Sequence, residues 1–470
     1  MRRLQKIGLI LAIVILVGTF FVQPTELLPT AARNTLGLLF AVIVLLVTEV
    51  FPIGITCLLT VTLMYLFNCA PGENGSTSVP AALSGYTNAT LFFVLASFGI
   101  SEALTVLPLS KRLLLRLMGM FGKNINLLLF AIMLCVAILS SVISNVAAAA
   151  VFIPIMNNFL NIYDDKDERK RTARCYMIAL PIASMIGGMM TPAGSSINML
   201  AISQLEALVP GLRVKFVDWM LFGIPLAAVA LPLAWLFCIR IMKPAALSKE
   251  KIRRYIGEVA VKEPFGKKEI YVLSIVVVMI TLWILSSWFP VFNVTIVALI
   301  GLALFFIPGF EVLTWDGFKR CVSWEAFFLM GTMISLGAVI RASELNVWIA
   351  QVVFPSSFGA PAFMAVALIA LITFVLLIPI PVAPALVTML SAPLVGFAQI
   401  AGVSPYVLML TLGLISANCY LLPLDTVPLM TFATGSYGMF DMPKVAGPIQ
   451  VCLIVLAAVW IPVAAKMLGV

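Results

Sequence analysis

Uncharged apolar runs of membrane-crossing length, separated by short charged stretches, recur along the whole chain. At roughly 20 residues per crossing they predict an all-α membrane protein with about eleven transmembrane helices. The first run follows Met1-Arg2-Arg3 and ends near Phe21. No small-residue cleavage site follows it, so a retained span is expected rather than a signal peptide. The run from Leu36 to Phe67 is too long for one untilted helix, and Pro52, shortly after Glu49, divides it. Cys69 to Thr87 is polar and lacks Lys and Arg, which places it outside. Thr90 to Leu107 then crosses inward to a basic amphipathic stretch holding Lys111, Arg112, Arg116 and Lys123.

Two runs break their own pattern in the first half. Ile125 to Leu160 carries Ser140, Ser141, Ser144 and Asn145 at its centre and basic residues beyond both ends, Lys123 before and Lys166, Arg169 and Lys170 after. The positive-inside bias puts both ends in the cytoplasm. The segment 125–160 is therefore expected to be a re-entrant hairpin with its tip near Ser144-Asn145. Non-helical backbone at that depth is tolerated only inside protein or along a cavity. The segment 175–208 is a broken helix, interrupted where Gly187-Gly188 leads into Thr191-Pro192-Ala193-Gly194-Ser195 and Asn198.

A charged stretch, 243–269, forms a cytoplasmic linker, and the second half repeats the plan. Ile270 to Phe289, Val294 to Ile307 and Trp324 to Ile340 cross the membrane. From Ala342 to Pro443 there is no Lys or Arg, so the next interrupted run, 361–400, is a second hairpin opening from the outside. A second broken helix, 405–435, is interrupted from Leu422-Pro423 to Val427-Pro428, and Gly447 to Leu468 is the last span. The expected organisation is an N-terminal span, 1–34, a first repeat, 35–242, the linker, and a second, inverted repeat, 270–470. Ser144 to Pro154 and Ala383 to Pro393 share one spacing, and Thr191-Pro192 aligns with Leu422-Pro423. Inverted repeats with paired broken helices point to a secondary transporter with its site at mid-depth.

Composition narrows the chemistry. Of 470 residues, 62% are hydrophobic and 10% charged, and the net charge is +9. The basic residues sit in short loops beside apolar runs, as in membrane proteins, so no nucleic-acid partner is expected. The eight cysteines are scattered and histidine is absent, which leaves metal clusters and His-based proton shuttles without ligands. No nucleophile–base pair or phosphate loop is present, so no enzyme is expected. At the first tip, helix N-termini suit an anion, while hydroxyls and unwound carbonyls suit a small cation. Ser144, Asn145 and Val146 are candidate substrate contacts together with Thr191, Pro192, Gly194, Ser195 and Asn198, and with Ala383, Pro384, Ala385, Asp425 and Thr426 from the second half, the substrate being expected between the two tips and the two breaks. Ser140, Ser144, Asn145 and Gly194 are candidate Na+ contacts. Ser and Asn also glue membrane helices together, and a Pro-Gly kink needs no ligand. Asp425 is the sole carboxylate between Glu344 and Asp441. An intramembrane carboxylate marks a cation, proton or substrate site, or caps a helix starting at Thr426.

The residues Thr48-Glu49-Val50-Phe51-Pro52, Ser144-Asn145, Thr191-Pro192-Ala193-Gly194-Ser195 with Asn198, Gly223-Ile224-Pro225, and Leu422-Pro423 to Lys444 resemble the divalent anion/sodium symporters. This is the DASS family of di- and tricarboxylate and sulfate transporters. The resemblance implies a homodimer with a scaffold plus an elevator-type transport domain; a plasma-membrane location with a cytoplasmic N-terminus is expected. It also implies a Ser-Asn-Thr motif at each hairpin tip, holding substrate carboxylates and two Na+ ions. Here the first tip reads Ser144-Asn145-Val146 and the second, placed by spacing, Ala383-Pro384-Ala385. The second broken helix has Asp425 where the first has Gly194. The expected activity is transport of a small anion by alternating access. Its coupling is open between one-cation symport, proton coupling through Asp425, and Na+-independent anion exchange, and the departures at the second tip favour a reduced Na+ requirement over two Na+ ions. An inorganic-oxyanion carrier of the same architecture is the alternative. No cofactor beyond Na+ is expected.

Overall fold

The computed structural model describes residues 3–72, 75–121, 124–259, 264–353 and 361–470. Lys123, used above to orient the first hairpin, lies outside the described residues. All regular structure among the described residues is helical. Among the described residues eight helices are long and apolar enough to cross a membrane, and shorter apolar helices such as Ile53–Leu66 and Val294–Leu304 accompany them. Arg3–Phe21 leaves most of its apolar side chains uncovered, including Ile10, Val14 and Phe20, as a lipid-facing helix does. Pro52 acts as expected. Thr30–Val47 ends before it, Glu49 turns the chain with a φ of 47°, and Pro52 caps Ile53–Leu66.

Ile125–Ser140 and Asn145–Leu160 form a hairpin. The Tyr176 hydroxyl donates to the carbonyl of Ile125 at 2.8 Å, and its ring stacks on Phe159 at 5.5 Å between centroids. The outer ends of both arms thus meet at one residue near the middle of Lys166–Gly188, while the tip, 141–144, lies near that helix's C-terminal end. Ala362–Leu376 and Ala383–Ala401, joined through 377–382, both pack in the same way on Pro405–Ser416. The helices beyond each break exchange partners. Ser196–Leu208 packs on Pro405–Ser416 and Ala383–Ala401, while Thr426–Phe432 packs on Lys166–Gly188 and Asn145–Leu160. Phe216–Met242 runs along Asp441–Leu468, tied by a hydrogen bond from Trp460 Nε1 to the Leu221 carbonyl at 3.0 Å. Outside this group, Ile53–Leu66 packs on Trp324–Ala342 and Val294–Leu304 on Ala89–Val106.

Two expected limits move. The division at 34/35 falls inside Thr30–Val47, because Arg33 and Asn34 turn inward. Arg33 donates to the Val22 carbonyl at 2.8 Å and Asn34 to that of Phe67 at 2.6 Å, so both serve the helix instead of a loop. The linker limit at 269/270 falls inside Lys267–Leu285, whose first turn is closed by Glu269 accepting from the Gly266 amide at 2.7 Å. The linker itself is not an open loop. It contains the helix Lys249–Val259, which buries Ile252 and Tyr255. Tyr255 meets Phe159 edge-on at 5.3 Å, and Lys251 pairs with Asp164 at 2.8 Å.

Candidate functional site

The first break begins where Lys166–Gly188 ends. The double glycine does not interrupt that helix, contrary to expectation; the helix runs through both residues. Their role is close approach. A Cβ on Gly187 would overlap the backbone of Ala137, and one on Gly188 would overlap the Asn145 side chain. Missing side chains therefore let the hairpin tip sit directly against the helix end. After Met189, the chain opens and Thr191 starts a short 3-10 turn, Pro192–Gly194. Ser195 then caps Ser196–Leu208 through the Ile197 amide at 3.3 Å.

Tip and break interlock through hydrogen bonds. The Ser140 hydroxyl donates to Asn145 Oδ1 at 2.7 Å and lies 3.1 Å from the Ser184 hydroxyl. Ser184 in turn donates to the Asn145 carbonyl at 2.8 Å. The Ser144 amide donates to the Ser101 hydroxyl at 3.0 Å. Thr191 donates its hydroxyl to the Ser141 carbonyl and accepts from the Gly194 amide at 3.1 Å. Asn198 Nδ2 bridges the break, donating to the Gly188 and Thr191 carbonyls at 2.8 Å each, and its buried Oδ1 has no hydrogen-bond partner among the described residues. A Cβ on Gly194 would overlap the carbonyl oxygens of Gly188 and Ser140. Neutral oxygens thus crowd around Gly188 and Gly194, a donor set suited to an alkali cation. Ser144 is the N-cap of Asn145–Leu160, yet its hydroxyl makes no capping bond. A hydroxyl and first-turn amides of this kind are chemically suited to an anion.

The second break is different. Ala383 and Ala385 are buried, and Ala385 packs in the cluster of Leu329 and Leu336. Pro384, in the first turn of Ala383–Ala401, has no amide to offer. Asp425 is the N-cap of Thr426–Phe432 and accepts from the Val427 amide at 3.3 Å. Thr426 is exposed. Among the described residues no hydrogen bond joins Asp425, Thr426 or 383–385 to the first tip. Val146 leaves 38% of its surface open.

Ser101, Ser184 and Asn418 were not anticipated. Asn418 is fully buried and donates to the Leu414 carbonyl at 2.8 Å and to Met189 Sδ at 3.5 Å, so the second break reaches the first. Single serines inside apolar helices carry little signal. Ser184 could have been found by its place one turn before Gly188. A polar cavity of about 660 Å³ runs along one face of Ser196–Leu208, from Pro192 past Met199 and Ser203 to Arg213 and Lys215.

Helices crossing an apolar layer, with paired hairpins set against broken helices, define a multi-pass membrane transporter. The fold is similar to the solved YdaH transporter of Alcanivorax borkumensis, with a TM-score of 0.56 at 14% identity over 90% of this chain and 98% of that one. It is also similar to MtrF of Neisseria gonorrhoeae, from a class of antimetabolite efflux pumps, with a TM-score of 0.54 at 14% identity over 99% and 94%. Residues 4–470 match the sodium:sulfate symporter transmembrane region, and the chain belongs to that family, the divalent anion/sodium symporters. Relatives include the sodium-dependent dicarboxylate transporter SdcS of Staphylococcus saprophyticus, 26% identical over 94% of this chain and 88% of the relative. The sodium-dependent high-affinity dicarboxylate transporter 3 of Caenorhabditis elegans is 23% identical over 88% and 80%. A membrane protein of Cupriavidus necator is 24% identical over 74% and 70%.

Proposed function

We propose that the protein is a secondary active transporter of di- or tricarboxylate-type anions, coupled to a single Na+. It works by alternating access in the plasma membrane, as a homodimer with a cytoplasmic N-terminus. The observation that carries the coupling is the contrast between the breaks. Ser140, Asn145, Gly188 and Gly194 gather neutral oxygens at the first, while the second tip offers buried alanines and a proline. A cation at the first break sits beside the amides of Asn145–Leu160, so cation and carboxylate each stabilise the other's binding. The names of the staphylococcal and nematode relatives favour a dicarboxylate. The exchanged packing of the two broken helices supports two inverted repeats, each with a hairpin entering and leaving the membrane on one side. In that scheme both hairpins and both broken helices move together as an elevator against the remaining helices.

Succinate uptake into proteoliposomes, measured against external Na+, tests this reading. Saturation with a Hill coefficient close to one is expected. A coefficient near two, or uptake indifferent to Na+, overturns it. A second reading rests on Asp425, the carboxylate at the second break: a proton takes the place of a second cation. Uptake by Asp425→Asn that no longer changes with a pH gradient would favour it.

A further inference from the structure

We propose that a crevice behind the first hairpin tip binds an anionic phospholipid, with an acyl chain in the cavity and the phosphate on Arg116. The cavity holds about 530 Å³ and is walled by Leu104, Leu113, Leu139, Ile143 and Leu273, with Arg112 and Arg116 in its lining. That size matches a small-ligand pocket. Its walls come from the hairpin, from Ala89–Val106, from Lys267–Leu285 and from Leu109–Phe121. The last of these buries Leu114, Leu117 and Met118 and leaves Arg116 exposed, the layout of a helix lying in the headgroup region.

The two arginines differ. Arg112 is bound bidentately by Glu269, Nε to Oε1 at 2.8 Å and Nη2 to Oε2 at 3.0 Å, and lies over the Phe265 ring at 4.6 Å. Arg116 stands one turn away on the same face and has no ion pair among the described residues. An apolar slot edged by a guanidinium that has no ion pair among the described residues matches an amphiphile with an anionic head, and arginine suits phosphate in particular. Beside a bilayer, such a slot fills with an acyl chain instead of water. Its position gives the occupant a purpose. Leu139, Val142 and Ile143 line the cavity and alternate with Ser140, Ser141 and Ser144 of the polar cage. The occupant therefore braces the tip from its dry side.

Native mass spectrometry of the detergent-purified full chain, titrated with phosphatidylglycerol and phosphatidylcholine, tests the proposal independently of transport. The wild type is expected to retain phosphatidylglycerol several-fold better than phosphatidylcholine. Arg116→Gln should equalise the two, Leu113→Trp should lower retention of both, and Arg320→Gln, on a different helix, should change neither. Melting temperatures without lipid that match the wild type show that the variants remain folded. Equal retention of both lipids by the wild type overturns the proposal, as does a preference that survives Arg116→Gln. A two-chain species lost on Leu113→Trp also overturns it, by giving the crevice to a second copy.

Discussion

Asn145 joins three functions in one side chain. It receives the Ser140 hydroxyl, lies against Gly188, and opens the helix whose first amides, in the proposed scheme, hold the anion. Asn145→Ala should raise the Na+ concentration for half-maximal uptake at least tenfold, equivalent to about 1.4 kcal/mol, with little change in melting temperature. Na+ titration of proteoliposome uptake checks this. Gly188→Ala acts from the other side. Its methyl would take the space of Asn145 Oδ1, and overpacking of that kind costs about 1–3 kcal/mol. Thermal unfolding should show that loss along with the loss of Na+ response. Asp425 has a separate test, since its one side-chain hydrogen bond among the described residues is a helix cap. Asn caps nearly as well as Asp, whereas Ala forfeits about 1 kcal/mol. Asp425→Ala should therefore melt lower than Asp425→Asn, whatever either does to coupling. The Ser144-Asn145 tip was legible because polar residues crowd the middle of an apolar run. Ser101 and Ser184 were not, because one serine in a helix reads the same whether it packs a neighbour or braces a site.

At the scale of elements, sequence order anticipated where the helices are interrupted, at 141–144, 189–195 and 377–382, since proline, glycine and apolar run length act locally. The helix Lys249–Val259 escaped because its charge reads as a solvated loop. Its apolar face, Ile252, Tyr255 and Ile256, spans little more than one turn and gains meaning only from the Phe159 surface it covers. The double glycine misled for a related reason. Glycine lowers helix propensity by roughly 1 kcal/mol, but close contact with Ala137 and Asn145 outweighs that cost. Tyr255 also donates to the Ile155 carbonyl at 3.3 Å, so the linker helix rides on the second arm of the hairpin. Tyr255→Ala should destabilise this docking by about 3 kcal/mol. Limited proteolysis should then cut within 249–259 much faster than in the wild type, while the transmembrane core stays intact.

Across the whole molecule, the helices beyond the two breaks exchange packing partners, while the chemistry of the two breaks is unequal. The shared order of breaks along the chain is the sequence counterpart of that exchange. The inequality was partly legible, in Ala383-Pro384-Ala385, but its consequence is spatial: Ala385 seals against Leu329 and Leu336 instead of facing the polar cage. In the proposed scheme recognition falls on the first break, and a polar cavity reaches that break. The polar cavity that ends at Pro192 carries Arg213 and Lys215 on its wall against the single carboxylate of Glu206. A cleft with an excess of one charge raises the local concentration of an oppositely charged solute, and salt screens the effect over about 10 Å at 0.1 M. If anions enter by this cleft, replacing both basic residues in Arg213→Gln/Lys215→Gln should raise the KM for a dicarboxylate several-fold and leave kcat nearly unchanged. The gap between variant and wild type should narrow as ionic strength rises. Uptake kinetics at low and high concentrations of a potassium salt, with Na+ held constant, distinguish this steering from damage to the binding site, which salt would not repair.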